Sequence, residues 1–194
     1  VDRSSGKILH NIEVLTTPDA GPRHVQNGYA SPTPVLDSQH AYVTFGPRGT
    51  VCLDNSGKIV WKNTELNFNV IQGAGSSPIL HEDLLILTCD GIDVQYIAAL
   101  DKRTGKVRWK QARKHFERVK VAIGKMAYST PLAQTINGVP QLVSSGADHV
   151  GAYDLRTGKE IWWMPYTGFS QVGRPSYGNG LFYVVGSVSQ DNFA

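Results

Sequence analysis

The chain has 194 residues, 41% of them hydrophobic and 18% charged, with 20 glycines and 10 prolines. That is long enough to bury a substantial core, too apolar for a disordered chain, and rich in turns. A net charge of +3 gives no ground for a nucleic-acid partner, and no apolar run approaches the roughly eighteen residues that span a bilayer.

One short phrase recurs four times and frames the predicted elements. Asp2–His10 reads DRSSGKILH, Asp54–Trp61 DNSGKIVW, Asp101–Trp109 DKRTGKVRW and Asp154–Trp162 DLRTGKEIW. The glycines of the four copies, Gly6, Gly57, Gly105 and Gly158, are 51, 48 and 53 residues apart. A period of about fifty with β-type content marks stacked sheet units and is read as propeller blades. In chain order, residues 1–14 are expected to supply the last two strands of a partial blade. Complete blades are expected at 31–63, 77–111 and 129–164, and the first two strands of another at 174–187.

Each blade is predicted to open on a Ser/Pro-led or Arg/Pro-led strand: Ser31–Leu36, Ser77–Leu80, Ser129–Leu132 and Arg174–Tyr177. An apolar strand follows at Ala41–Gly46, Leu84–Cys89, Gln141–Ser145 and Leu181–Gly186. A third (Thr50–Leu53, Ile97–Leu100, Val150–Tyr153) runs into the Asp, and a fourth starts at the Lys and passes through Trp. Gln111–Val121 has apolar residues that sustain no helical stripe, so it reads as loop or a single turn. The expected class is all-β: a β-propeller section of four-stranded antiparallel blades.

The phrase has a physical logic. Glycine supplies the positive φ of a tight reversal, and the Asp side chain can accept from amides two or three residues on. Lysine at the start of the outer strand blunts an exposed edge. Trp61, Trp109 and Trp162 can each pack on the neighbouring blade and give the indole N–H to a backbone carbonyl. His10 takes that place in the first copy, as a partly exposed substitute. Cys52 falls where later copies have Ala98 or Ala99, and Ala152, a small inward site. Cys52 and Cys89 are expected to be buried free thiols.

The pattern A-x-D-x-x-T-G-K-x-x-W, intact at Ala99–Trp109 and Ala152–Trp162, resembles the tryptophan-docking repeat of the pyrroloquinoline-quinone-like β-propellers. The blade with Trp61 keeps the skeleton, with Cys52 in place of Ala and one residue fewer in the turn. The same repeat is similar in quinoprotein alcohol dehydrogenases, in the propeller lipoprotein of bacterial outer-membrane assembly, and in large secreted proteins without assigned chemistry. NGYASPTPVLD (Asn27–Asp37) and AYSTPL (Ala127–Leu132) look most like the last group. The resemblance implies a section of a larger periplasmic or secreted bacterial protein.

A family enzyme would carry pyrroloquinoline quinone and calcium, a catalytic Asp and commonly adjacent cysteines. No adjacent cysteines occur, and Asp54, Asp101 and Asp154 are committed to turns. Asp90-Gly91-Ile92-Asp93 reads as a hairpin turn more readily than as a calcium loop. His10, His24, His40, His81, His115 and His149 are scattered, and no G-x-S-x-G elbow appears. Gly73–Ser77 lacks the Lys-Ser/Thr ending of a phosphate cradle. No catalytic, cofactor-binding or metal-binding residue is therefore assigned.

The segments leading into each first strand are expected around one mouth of the channel. They bring His24, Asn27 and Tyr29, then Asn69 and Gln72, then Lys125 and Tyr128, then Ser170 and Arg174, either as a ligand or partner face or as ordinary solvated loops. Lys110, Arg113, Lys114, Arg118, Lys120 and Lys125 against Glu117 form a basic stretch, read as a solvated inter-blade loop or an anionic docking patch. Arg113, Lys114 and Arg118 would there be exposed grips for an assembly partner. The expected function is a non-catalytic scaffold binding a protein or small ligand, with no cofactor. A section of a quinone-dependent oxidoreductase, or an outer-membrane assembly propeller, is the alternative. Open sheet edges would also pair with further blades or with a second copy.

Overall fold

Four meanders follow one another along the chain. Three are antiparallel four-stranded sheets, each strand paired with its neighbours in sequence. The first holds β1 (Val35–Leu36), β2 (His40–Thr44), β3 (Thr50–Asp54) and β4 (Ile59–Asn63). The second holds β5 (Ile79–His81), β6 (Leu84–Asp90), β7 (Gln95–Asp101) and β8 (Val107–Ala112). The third holds β9 (Leu132–Ile136), β10 (Val139–Gly146), β11 (His149–Asp154) and β12 (Glu160–Pro165). A two-stranded sheet, β13 (Ser176–Gly178) with β14 (Leu181–Tyr183), ends the series. This computed structural model describes residues 1–115, 119, 121–168 and 170–186. It is the all-β propeller section the repeat implies, with 3-10 turns only at Gly46–Arg48 and Ala122–Lys125 among the described residues.

The Asp-Gly reversal forms in all four copies. Asp2, Asp54, Asp101 and Asp154 each turn Oδ1 back onto nearby amides: those of Ser4 and Ser5, Ser56, Arg103 and Thr104, and Arg156 and Thr157. In the shorter copy Asp54 Oδ1 also accepts from Lys58 N at 3.0 Å. The register then slips once per sheet, after Cys52, Ala99 and Ala152, the residues opposite Trp61, Trp109 and Trp162. Ala99, not Ala98, is thus the counterpart of Cys52. A bulge there adds twist to the outer strand and aims the tryptophan out of its own sheet.

Trp61 and Trp109 meet glycines, while Trp162 packs on Phe182 with ring centroids 5.9 Å apart. A Cβ built on Gly105, at φ +71, would lie 2.5 Å from Trp61 Cε3, and one on Gly158, at φ +74, 2.5 Å from Trp109 Cε3. Only glycine suits these positions, because the turn needs a left-handed residue and the ring needs the space of a missing side chain. His10 takes the same place over Gly57, 3.1 Å from such a Cβ, beside Ile12. The indole N–H groups are less uniform than the sequence suggests. Trp61 Nε1 donates to Lys102 O of the next sheet at 2.9 Å, whereas Trp162 Nε1 donates to Gln141 Oε1 of its own sheet at 2.9 Å. Trp109 Nε1 is buried with no partner among the described residues.

Core clusters fill the seams between sheets. Leu85, Leu87, Ala98 and Leu100 face the first sheet, with Tyr42, Cys52 and Trp61 opposite. Ile86, Ile97 and Ala99 face the third, against Leu142, Tyr153 and Leu155. Because β6 and β7 are covered on both faces, their sequences read as unbroken apolar runs instead of alternating. Cys52 and Cys89 are free and buried, and burial pushes the Cys52 thiol up to about 11.

Three expectations are corrected. Residues 1–34 form the Asp2 turn but no strand, so the anticipated strands within 1–14 are absent. The first strands start after the prolines, because a proline has no N–H for a ladder. The preceding residues bond between sheets instead: Thr33 N donates to Ser77 Oγ at 2.9 Å and Ser77 N to Thr130 Oγ1 at 3.0 Å. Arg113 is not an exposed loop residue. It sits one residue beyond β8, 3% exposed, with Nε and Nη2 on Asp90 Oδ1 and Oδ2 at 2.7 and 2.9 Å and Nη2 also on Ser144 Oγ of the third sheet at 2.8 Å. Of the rest of that basic stretch, Glu117, Arg118 and Lys120 lie outside the described residues, as does part of Gln111–Val121.

Beside Arg113, the fully buried His149 donates through Nδ1 to Ala147 O at 2.8 Å. Burial, then the Arg113 charge, lowers its pKa to about 3. Folding therefore favours the neutral ring, and its contribution is complete above the unfolded value near 6.5 and lost as pH falls toward 3. Between pH 6 and 4, stability should fall by about 1.4 kcal/mol per pH unit from this group, a slope His149→Gln removes in urea titrations. An unchanged slope would exclude His149 as the source. The turn carboxylates, held low by the Thr157 hydroxyl at Asp154 and by amides that outweigh burial at Asp101, add their loss only below about pH 4.

Trp61→Ala should cost about 3–5 kcal/mol of unfolding free energy, measured by denaturant. A loss well under 1 kcal/mol would mean the indole does not tie the sheets together. Asp90→Ala strands a buried guanidinium and should cost about 3–5 kcal/mol, while the double change Asp90→Leu with Arg113→Met should cost much less. Equal losses in the two proteins would contradict a desolvation-dominated pair.

Candidate ligand face at one mouth

The segments that lead into β5, β9 and β13, with residues 24–31 before β1, hydrogen-bond in sequence around one end of the sheets. His24 N donates to Gln72 O at 3.2 Å, and Asn27 Nδ2 donates to Gln72 O at 2.7 Å and Ala74 O at 3.3 Å. Tyr128 OH donates to Gln72 Oε1 at 2.8 Å, and Tyr128 N donates to Gln171 O at 2.7 Å. Ser76 Oγ donates to Ser129 O at 3.0 Å, Ser129 Oγ to Gly173 O at 2.8 Å, and Ser170 N to Met126 O at 3.2 Å. Four stretches far apart in sequence become one continuous belt.

Of the residues singled out from the sequence, His24, Asn27, Gln72, Tyr128 and Ser170 are joined by this belt. Tyr29 lies beside it, its ring between the guanidinium carbons of Arg23 and Arg48 at 5.2 and 5.0 Å and its hydroxyl donating to Gly21 O. Asn69 is drawn away: its N and Nδ2 both donate to Asp93, at 2.8 Å, on the β6–β7 hairpin. Lys125 ends the second 3-10 turn, half-buried. Ser170 has positive φ and is half-buried. Arg174 is exposed and lines a separate inner groove.

Inside the belt, a crevice between the first and second sheets is lined by Thr44, Ser76, Thr88, Asp90 and Tyr128 over Phe68 and Leu87. It has room for little more than one water molecule. Burial raises the Tyr128 hydroxyl to about 12, so it is a neutral donor at physiological pH. Asp90 has both oxygens on Arg113, and Asp93 is held low by the Asn69 and Val94 amides, which outweigh burial. Such a surface can bind by hydrogen bonds and apolar contact; it pairs no nucleophile with a base. No group of three or more His, Cys, Asp or Glu able to hold a metal occurs among the described residues.

The buried polar set of Asp90, Arg113, Ser144, His149 and Tyr153 went unrecognised in the sequence. One signal was available: Arg113 and Tyr166 both stand four positions past a repeat tryptophan, and Tyr166 OH is buried too, donating to Gly146 O of its own sheet at 2.6 Å.

Residues 1–163 and 93–192 match the family described as outer membrane protein assembly factor BamB. No curated protein matches the chain in sequence. Among solved structures it is similar to BamB from Moraxella catarrhalis, with TM-score 0.59 and 16% identity over 79% of this chain and 46% of that one. The quinohemoprotein alcohol dehydrogenase from Comamonas testosteroni gives TM-score 0.59 and 15% identity, covering 89% and 38%. The quinohemoprotein alcohol dehydrogenase ADHIIG from Pseudomonas putida HK5 gives 0.51 and 21%, covering 77% and 22%. The chain spans less than half the length of each, and at these identities the likeness is one of fold. No helix among the described residues is long and apolar enough to cross a membrane. With its repeat, its meandering sheets and the match over nearly all its length, the chain belongs to the BamB-described family of pyrroloquinoline-quinone-like β-propellers.

Proposed function

We propose that this chain is a section of a non-catalytic propeller scaffold that binds a protein partner at the belted mouth, in a larger extracytoplasmic protein. The observation that carries this reading is the belt itself. It fixes four loops in one rim, and those loops carry exposed aliphatic tips: Val25 at 85%, Val121 at 60% and Val172 at 63%. Rigid loops with apolar tips among polar groups suit a protein surface better than a buried small-molecule pocket. The family description, an assembly factor for outer-membrane proteins, supports a partner that is itself a protein and a place outside the cytoplasm.

The test uses the full-length protein and the purified barrel-assembly protein of the same organism in biolayer interferometry. Val25→Asp with Val172→Asp should weaken binding at least about tenfold with an unchanged melting temperature. Undiminished affinity in that double variant rejects the mouth as the contact surface.

A quinone-dependent oxidoreductase is the second reading, favoured by the likeness to two alcohol dehydrogenases. The mouth crevice and the two carboxylates beside it offer that cofactor and its calcium no place. The crevice at the mouth is too small, and the oxygens of Asp90 and Asp93 are already taken by Arg113, Asn69 and Val94. Dye reduction by the full-length protein supplied with quinone and calcium would favour this reading.

A further inference from the structure

The residue before the proline of each lead-in segment is a hydroxyl in three cases, Thr33, Ser77 and Thr130, and an arginine in the fourth, Arg174. The hydroxyls have a structural task. Ser77 Oγ accepts the Thr33 amide and Thr130 Oγ1 accepts the Ser77 amide, so the first two seams are each closed by the next segment's side chain. Arginine carries five donors and no acceptor, so Arg174 cannot take the next step of this ladder. Its presence there needs another reason.

Arg174, Thr33, Ser77 and Thr130 line one groove of about 520 Å³ along the innermost strands, walled by side chains that include Val35 and Leu80. Among the described residues, no carboxylate lines it. Among the described residues Arg174 has no ion-pair partner, and the hydroxyl hydrogens of Ser77 and Thr130 have no acceptor. Each of these two hydroxyl oxygens accepts one amide and keeps its O–H, with one lone pair, to offer. The polar lining therefore presents a guanidinium and the hydroxyls of Thr33, Ser77 and Thr130, all able to donate, beside apolar walls.

We infer that this groove binds a small oxyanion, carboxylate or phosphate, with two oxygens on the guanidinium fork and another reached by the hydroxyls. The groove is separate from the aliphatic tips of the mouth, so this site stands whether or not the mouth engages a protein. Titrating the chain with inorganic phosphate and, separately, with acetate by calorimetry at low ionic strength is the test. Saturable binding is expected, weakened at least about tenfold in Arg174→Gln and less in Arg174→Lys, which keeps the charge and loses the fork. Tighter binding of phosphate or of acetate assigns the anion class. Melting curves matching the native protein establish that both variants are folded. Equal binding by native protein and Arg174→Gln, or no saturation at millimolar anion, overturns the site.

Discussion

An aromatic ring laid on the glycine of the following sheet is the contact on which this architecture depends. A four-stranded meander with apolar faces and open edges needs neighbours to cover it. The repeat solves this by giving each sheet a ring at one place and a bare left-handed glycine at another. Trp61 on Gly105 and Trp109 on Gly158 then set the spacing of successive sheets. The same residues that make the turn make the seat for the ring, which is why Asp, Gly and Trp recur together. His10 on Gly57 shows that the geometry tolerates a smaller ring, with Ile12 filling the remaining space.

Between the rings and the inner edge, the seams are of two kinds. One is apolar, as where Leu85, Leu87 and Leu100 meet the first sheet. The other is polar and fully buried, as where Arg113 reaches from beyond β8 to Ser144 while holding Asp90. A buried ion pair of this sort adds little net stability over apolar residues of equal volume, but it accepts few alternative geometries. It therefore fixes how the second and third sheets align more than it holds them together. The Ser/Thr ladder before the prolines acts similarly at the inner edge, where proline has removed the usual donors.

These constraints leave the lead-in loops outside the repeated core. They are tied to one another by backbone and side-chain hydrogen bonds, yet their tips point outward and carry residues such as Val25 and Val172 that the fold does not need. The molecule thus separates a repetitive interior from a hydrogen-bonded rim. Arg174 belongs to neither. It occupies a ladder position without being able to serve the ladder.

The fold was legible in the sequence because its determinants are local. Asp, Gly and Lys specify a turn within six residues, and apolar runs bounded by turns specify strands. The spacing of the glycines revealed the repeat without reference to any contact. Part of the candidate face was legible for the same reason, since His24, Asn27, Gln72 and Tyr128 lie in loops whose position the repeat sets. What the sequence could not specify were pairings across roughly twenty to fifty-six residues, each chosen by the packing of whole sheets. Asn69 looked equivalent to Gln72 until the hairpin carrying Asp93 captured it. Arg113 looked like one solvated cation among several until Asp90, at the end of an apolar strand, drew it inside. Local chemistry determined the blades; only their stacking decided which polar side chains were buried, paired or left facing a groove, because burial and charge pairing depend on neighbours that the chain brings together last.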